Sequence, residues 1–199
     1  MNNLDLQKYY NKCIDDYANN FEGSSVSKKE LDIFIAQLKT PQEARVLEVG
    51  SGLGQEAEYM SQKGCSVLGI DLSQEMTNYA WIHRKCGLYL TLDFFKVYDL
   101  VGGNHFDGLW ASSSVLTHIN KKNAPKFFLE ARKLLKISGY MGIIVRKDKF
   151  NFKSKVVFNN YSKDEISHLM IEDGFEILHI SEKKFKDSKW WFVLSKRIS

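Results

Sequence analysis

The sequence is poor in proline, in cysteine and in long apolar runs. It has two prolines and three cysteines among 199 residues. The cysteines show no Cys-x-x-Cys spacing, which argues against a disulfide framework and against a zinc knot. No uncharged apolar stretch approaches the ~18 residues of a membrane span, and the first residues lack the basic and then apolar order of a secretory signal. We therefore predict a protein of the reducing cytoplasm with no membrane association.

The composition is that of a globular domain. Hydrophobic residues make up 44% of the chain, and Phe, Tyr and Trp together number 26, enough to fill a sizeable core. No repeat, low-complexity segment or linker divides the sequence. The sequence therefore predicts a single domain over residues 1–199, with a helical lid at 1–40 and a larger core at 41–199.

Charge is distributed unevenly along the chain. Residues 1–120 carry 10 Lys and Arg against 15 Asp and Glu, whereas residues 121–199 carry 18 against 9. The basic half has two interpretations: solvated lysines on helix faces, or a surface for an anionic partner. A candidate rim for such a partner consists of Arg146, Lys147, Lys149, Lys153 and Lys155.

Hydrophobic periodicity predicts an α/β fold. Apolar residues at helical spacing predict one N-terminal helix from Leu6 to Phe21 and a second one before Pro41. Beyond Pro41, short apolar runs alternate with helical patterns, as in a parallel sheet. Seven strands are predicted, at residues 45–49, 66–70, 88–92, 108–111, 140–145, 175–180 and 190–194. Periodicity does not give their order.

A glycine-rich loop follows the first predicted strand. Gly50, Gly52 and Gly54 lie between a strand and a helix, where glycine permits a sharp turn and close approach of a ligand, although a tight turn alone also uses glycine. Gln55 occupies the third glycine position of the dinucleotide-binding motif, and no Walker lysine is present. Glu48, two residues before the loop, would repel phosphate and accept hydrogen bonds from an ammonium group.

Acidic residues also follow the second and third predicted strands. Asp71 is placed to bind the two hydroxyls of a ribose; it could instead cap the next helix, although Ser73 is available for that role. Asp93 and Phe94 offer a carboxylate and an aromatic ring to the amine and the face of a purine. The pattern favours a nucleoside ligand without a phosphate.

These motifs together resemble the class I S-adenosylmethionine-dependent methyltransferases over residues 41–199. The stretch Phe106–Ser112 looks like the fourth-strand motif of that family. The segment Leu134–Tyr140 looks like the turn before its fifth strand, although Ile137 and Ser138 replace the usual proline and first glycine. The N-terminal helices and closing strands look most like the type 11 small-molecule methyltransferases.

The resemblance implies a fold, a cofactor and a set of contacts. The implied fold is Rossmann-like, with helices on both faces of a sheet in the order 3-2-1-4-5-7-6 and with strand 7 antiparallel. S-adenosylmethionine would be the methyl donor and S-adenosylhomocysteine the product. The contacts implied are Glu48, Gly50, Ser51, Gly52 and Gly54 for the methionine moiety, Asp71 for the ribose, Leu72, Met76, Asp93 and Phe94 for the adenine, and Ala111 and Ser112 at the methyl group.

Methyl transfer from a sulfonium is an in-line displacement that depends on alignment and on exclusion of water. A base is required only for an acceptor that must lose a proton. The candidate catalytic residues are His118, after the fourth strand, and Tyr17, on the N-terminal helix. Each also has a structural interpretation, because His118 can fill a turn and Tyr17 can pack on the sheet.

The sequence leaves the acceptor open. A small molecule, neutral or anionic, is the leading hypothesis, with an RNA such as tRNA and a cofactor-binding regulatory protein without turnover as alternatives. Residues 111–114 do not match the Asp/Asn-Pro-Pro-Tyr/Phe turn of adenine and glutamine methyltransferases, and no cysteine stands where cytosine C5 methylation needs one. No metal site is predicted, because no ligand spacing is present. A monomer and a homodimer are both compatible with the sequence.

Overall fold

The computed structural model describes residues 3–23, 26–149, 156 and 158–199. Its seven strands form one sheet in the order β3-β2-β1-β4-β5-β7-β6. The strands are β1 (Arg45–Val49), β2 (Ser66–Asp71), β3 (Leu88–Thr91), β4 (Phe106–Ser112), β5 (Leu135–Arg146), β6 (Phe175–Phe185) and β7 (Ser188–Arg197). The first five run parallel, and β7 is antiparallel to both of its neighbours. The predicted order and direction of the strands are confirmed.

Helices lie on both faces of this sheet. They are α1 (Asn3–Lys12), α2 (Ile14–Phe21), α3 (Lys28–Ile35), α4 (Gln55–Gln62), α5 (Gln74–His83), α6 (Val97–Val101), α7 (Val115–His118), α8 (Ala124–Leu134) and α9 (Lys163–Glu172). The single N-terminal helix predicted through Phe21 is two helices, which separate at Cys13. The N–H group of Cys13 is shared between the carbonyls of Tyr9 and Tyr10, both at 3.2 Å.

The edge strand shows why some predicted strands are too short. β6 extends to Phe185, five residues beyond its prediction. Its last residues include Glu182 and Lys183, which lie opposite Trp191 and Trp190 of β7. An edge strand pairs through its backbone and does not need an apolar side chain at every second position. An apolar pattern therefore does not reveal its full length.

The core consists of two apolar layers, one on each face of the sheet. Neighbouring residues of β4 point into different layers: Leu109 packs with Phe127 and Phe128, and Trp110 packs with Phe34. All five side chains are fully buried. This alternation follows from the two-residue period of a strand. The parallel pairing of β1 with β2 and with β4 brings the carboxyl ends of these three strands together at one edge of the sheet.

Candidate functional site

The glycine loop is attached to the end of β2 by its backbone. The N–H groups of Gly50 and Ser51 both donate to the carbonyl of Ile70, at 2.8 and 2.9 Å. Gly50 has a φ of +72°, and a Cβ atom there would lie 2.4 Å from the Cβ of Ser114. Gly50 is therefore required both by the turn and by the close approach of the loop after β4.

The other two glycines of the loop have different roles. Gly54 has a φ of +75°, and a Cβ atom there would lie within 2.9 Å of Tyr89 and Ala80, so this glycine permits packing inside the protein. Gly52 has a φ of +50°, and no described heavy atom lies within 4 Å of the position of its Cβ. Of the three, Gly52 faces open space.

Asp71 links the end of β2 to the glycine loop. Its Oδ2 accepts a hydrogen bond from the N–H of Gly52 at 3.0 Å, and its Oδ1 accepts one from the N–H of Ser73 at 2.8 Å. The N-terminal cap of α5 is Ser73, whose Oγ accepts from the N–H of Met76. Removal from water raises the pKa of Asp71, and the backbone hydrogen bonds oppose that rise. Each oxygen retains a lone pair that can accept from a ligand hydroxyl.

Asp93 follows β3 at the same edge. Its Oδ1 accepts from the N–H of Phe95 at 3.0 Å, and its Oδ2 accepts from the Nδ2 of Asn3 at 2.7 Å. Phe94 is buried beside it. A carboxylate with an adjacent aromatic ring therefore faces the same edge of the sheet as Asp71.

Glu48 lies beneath the glycine loop with a second carboxyl near it. The side chain is 3% exposed, and its Oε2 has no hydrogen-bond partner among the described residues. Burial raises the pKa of Glu48, the charge of Glu56 adds to this rise, and the N–H of Ala57 opposes it. Glu56 accepts from the indole Nε1 of Trp110 at 2.7 Å and from the N–H of Ser27 at 3.1 Å. An unpartnered buried carboxyl oxygen under the loop fits a cationic group such as an α-ammonium.

A cavity of about 350 Å³ lies over these groups, which is within the usual size range of ligand pockets. Ten of the residues predicted for the site line it: Gly50, Gly52, Asp71, Leu72, Met76, Asp93, Phe94, Ser112, Tyr17 and His118. The other four, Glu48, Ser51, Gly54 and Ala111, are buried or packed behind the lining.

The helix α1 covers the cavity through one polar face. Gln7 donates to the carbonyl of Leu72 at 2.9 Å, and the Oδ1 of Asn11 accepts from the Oγ of Ser73 at 2.7 Å. Asn3, which bonds Asp93, lies on the same face, since the spacing of four residues places all three side chains on one side of a helix. We did not predict these contacts from the sequence; the only sequence signal is the spacing of the polar residues.

Two tyrosines and a histidine lie at the far end of the cavity. The hydroxyl of Tyr10 is 2.8 Å from the Nε2 of His118, and the rings of Tyr10 and Tyr17 meet edge to face at 6.3 Å. Removal from water, with the charges of Asp71 and Glu56, raises the pKa of Tyr17 to about 12. At neutral pH Tyr17 is therefore a neutral phenol and not a phenolate base.

The helix α2 is attached to the glycine loop by two side chains. Gln55 donates from Nε2 to the carbonyl of Phe21 at 3.2 Å. Arg84 donates to the carbonyl of Leu53 at 2.8 Å and pairs with both Glu22 and Glu58. Gln55, which departs from the dinucleotide motif, thus holds the end of α2.

The predicted basic rim is partly paired with acids. Arg146 lies 3.0 Å from Asp148, and Lys147 forms an ion pair with Glu182. The residues Lys153 and Lys155 lie outside the described part of the chain. Over the described ranges, no three His, Cys, Asp or Glu side chains are grouped to hold a metal ion. No helix in those same ranges has the length and apolar character needed to cross a bilayer.

Comparison with family models gives one match. Residues 47–143 match a family described as "Methyltransferase domain". This segment begins in β1 and ends in β5, so it includes the glycine loop, Asp71 and Asp93. A search of curated proteins found no match.

Solved structures with the same fold cover nearly the whole chain. The 1,6-didemethyltoxoflavin-N1-methyltransferase of Burkholderia thailandensis, solved with 1,6-didemethyltoxoflavin and S-adenosylhomocysteine, is 17% identical with a TM-score of 0.79, over 98% of this chain and 88% of its own. Magnesium protoporphyrin IX methyltransferase from Synechocystis PCC 6803, solved with S-adenosylhomocysteine, is 15% identical with a TM-score of 0.79, over 98% and 99%. The [4+2]-cyclase SpnF is 15% identical with a TM-score of 0.76, over 97% and 95%.

Proposed function

We propose that this chain is a class I S-adenosylmethionine-dependent methyltransferase, which uses S-adenosylmethionine as its methyl donor and methylates a small molecule. The observation that supports this most is the shape of the site. The cavity is lined on one side by the strand ends with Asp71 and Asp93, and on the other by Tyr10 and Tyr17 of the covering helices. The acceptor must fit beneath that cover.

The donor half of the site fits the cofactor group by group. When bound, S-adenosylmethionine supplies a methyl group activated by a positively charged sulfur. The open space at Gly52 and the unpartnered oxygen of Glu48 suit its amino-acid end. Asp71 binds the ribose hydroxyls, and Asp93 binds the adenine amine with Phe94 beside the ring.

The acceptor half of the cavity is lined by both polar and apolar side chains. Ser112, Val115 and Ile119 line it from the strand end and the helix after it, together with His118. These residues orient the acceptor and exclude water, which are the main requirements of an in-line displacement. The carboxylates that line the cavity, Asp71 and Asp93, both belong to the donor half.

Two further observations favour a small molecule over RNA. Two residues of the basic rim, Arg146 and Lys147, have acidic partners, so less of its positive charge is available for a phosphate backbone. Two of the solved structures that share the fold are methyltransferases of 1,6-didemethyltoxoflavin and of magnesium protoporphyrin IX.

Calorimetric titration with S-adenosylhomocysteine tests the donor half. We expect the wild-type protein to bind and Asp71→Ala to bind about 10- to 100-fold more weakly, because hydrogen bonds to a charged group are lost. Glu75→Gln, at an exposed position in the first turn of α5, is the matched control and should bind as the wild type does. Unchanged affinity in Asp71→Ala would contradict the assignment.

Transfer of tritium from methyl-labelled S-adenosylmethionine tests the acceptor class. We expect label in the low-molecular-weight fraction of a cell extract and none in bulk tRNA. Label in tRNA would favour the RNA alternative. Binding of S-adenosylhomocysteine without transfer to either fraction would favour a regulatory protein.

A further inference from the structure

Tyr10 and His118 form a pair across the acceptor end of the cavity. Their sequence positions differ by 108, yet the Tyr10 hydroxyl lies 2.8 Å from Nε2 of the imidazole. The two rings also meet edge to face, with centroids 5.5 Å apart. Both side chains line the cavity. His118 was a candidate base from its sequence position, whereas Tyr10 was not.

The surroundings of Tyr10 keep its hydroxyl protonated. Besides His118, the titratable groups near it are Tyr9, Cys13, Tyr17 and Asp71. Removal from water and then the charges of these neighbours raise its pKa well above the ordinary value. A neutral phenol has one hydrogen to donate, and the imidazole nitrogen at 2.8 Å is an acceptor within reach.

We propose that Tyr10 and His118 act together as the proton acceptor of the methylation reaction. Tyr10 donates its hydroxyl hydrogen to Nε2, so the neutral imidazole carries its own hydrogen on Nδ1. The hydroxyl oxygen of Tyr10 accepts the hydrogen of the bound acceptor. As the acceptor gives up its proton to that oxygen, the original hydrogen of Tyr10 passes to Nε2, which leaves a neutral tyrosine and an imidazolium. This inference rests on the proposed function.

The placement of Tyr10 depends on the donor half of the site. Gln7 and Asn11 flank it along α1, and both bond to the segment that follows Asp71. Ser73, the partner of Asn11, also donates its N–H to Asp71. One helix, α1, therefore contacts the segment that follows Asp71 and also presents Tyr10 to His118.

Nitrogen NMR of the protein labelled with ¹⁵N-histidine tests the pair without any acceptor. In the complex with S-adenosylhomocysteine, we expect the neutral form of His118 to have Nε2 unprotonated and Nδ1 protonated. Tyr10→Phe removes only the hydroxyl, and we expect it to shift His118 towards the tautomer with hydrogen on Nε2. The His118 signals are assigned by their loss in His118→Gln.

Tyr9→Phe is the matched control, since Tyr9 is the neighbouring tyrosine and its side chain is exposed. It should leave the His118 tautomer unchanged. We expect both variants to bind S-adenosylhomocysteine with an affinity within about threefold of wild type. Such binding would show that the Tyr10→Phe protein is folded. Two results would contradict the proposed pair: a His118 tautomer that Tyr10→Phe does not change, or a wild-type His118 that carries its hydrogen on Nε2.

Tritium transfer separates this inference from the proposed function. If the low-molecular-weight fraction accepts label, Tyr10→Phe should lower kcat about 100-fold, the usual contribution of acid–base catalysis, with a smaller change in KM. Transfer at the wild-type rate by Tyr10→Phe would refute the pair while the proposed function stands. If neither the wild type nor any variant transfers label, but the NMR tautomers are as expected, the proposed function and the catalytic role of the pair are both refuted. The hydrogen bond between Tyr10 and His118 would still be supported.

Discussion

The two walls of the cavity are held in place by different kinds of contact. The wall made by the strand ends rests on a buried core, and the backbone fixes it, as in the hydrogen bonds from Gly50 and Ser51 to Ile70. The wall made by α1 and α2 contains no fully buried residue. Side-chain hydrogen bonds such as those of Gln7 and Asn11 attach it instead.

This difference assigns distinct physical roles to the walls. Backbone contacts over a packed core change little when a ligand binds, so the strand-end wall is preorganised. A hydrogen bond between partly exposed side chains contributes about 1 kcal/mol, so the helical wall can separate for ligand exchange. We expect substitutions in the first wall to have larger effects on stability and on cofactor binding than substitutions in the second.

The largest effect is expected from Gly50→Ala. The new Cβ would lie 2.4 Å from that of Ser114 at a φ of +72°, which together costs about 2–5 kcal/mol. Gly52→Ala is the matched control: it has a positive φ but open space, and should cost about 1–2 kcal/mol. Urea unfolding measures both. Equal losses would show that the approach of Ser114 does not constrain the loop.

A smaller effect on binding, with a distinctive pH dependence, is expected from Glu48→Gln. Affinity for S-adenosylhomocysteine should fall about 10-fold, because a bound ammonium favours the carboxylate form of Glu48 and an amide cannot provide that charged hydrogen bond. Burial raises the pKa of Glu48 above that of the unfolded chain. The contribution of this carboxyl to stability is therefore complete below the unfolded pKa and is lost as the pH rises through the folded one.

Urea unfolding at pH 5 and pH 8 tests that sign. The stability of the wild type relative to Glu48→Gln should decrease from the lower pH to the higher one. Glu176→Gln, at an exposed position on β6, is the control and should differ from wild type equally at both pH values. A relative stability that increases with pH would mean that Glu48 is charged in the folded protein.

The smallest effect is expected from Asn11→Ala in the helical wall. Loss of the contact with Ser73 should weaken S-adenosylhomocysteine binding about fivefold, equivalent to about 1 kcal/mol. Hydrogen exchange should become faster in residues 3–12 and remain unchanged in residues 50–54. Lys8→Ala, at an exposed position on α1, is the control. Faster exchange in both segments would contradict the independence of the walls.

The sequence predicted the first wall well because its signals are local. One short β-α-β segment contains the first strand, the glycine loop with Gly50 and Gly52, and the acid at Asp71. The fold places these three parts together. The strand order followed from the resemblance carried by the same segment. Spacing did not reveal the role of Gly54, because its packing against Tyr89 arises once β3 is in the sheet.

The second wall was not predictable in the same way. The contacts of Asn3 with Asp93 and of Tyr10 with His118 join residues separated by 90 and 108 positions. Asn3 and Tyr10 alone are ordinary polar and aromatic side chains on a helix. Their partners become evident only when α1 is docked on the sheet.

Gln55 adds a consequence for changing the ligand of this fold. A glycine at this position would restore the spacing of the dinucleotide motif, but it would also remove the side chain that bonds to the carbonyl of Phe21. Redesign towards a phosphate-bearing cofactor would therefore remove one of the two side chains that attach α2 to the glycine loop and leave Arg84 as the other. One residue thus couples cofactor preference to the position of the helix that covers the active site, and an engineered switch needs a second change that replaces the lost contact.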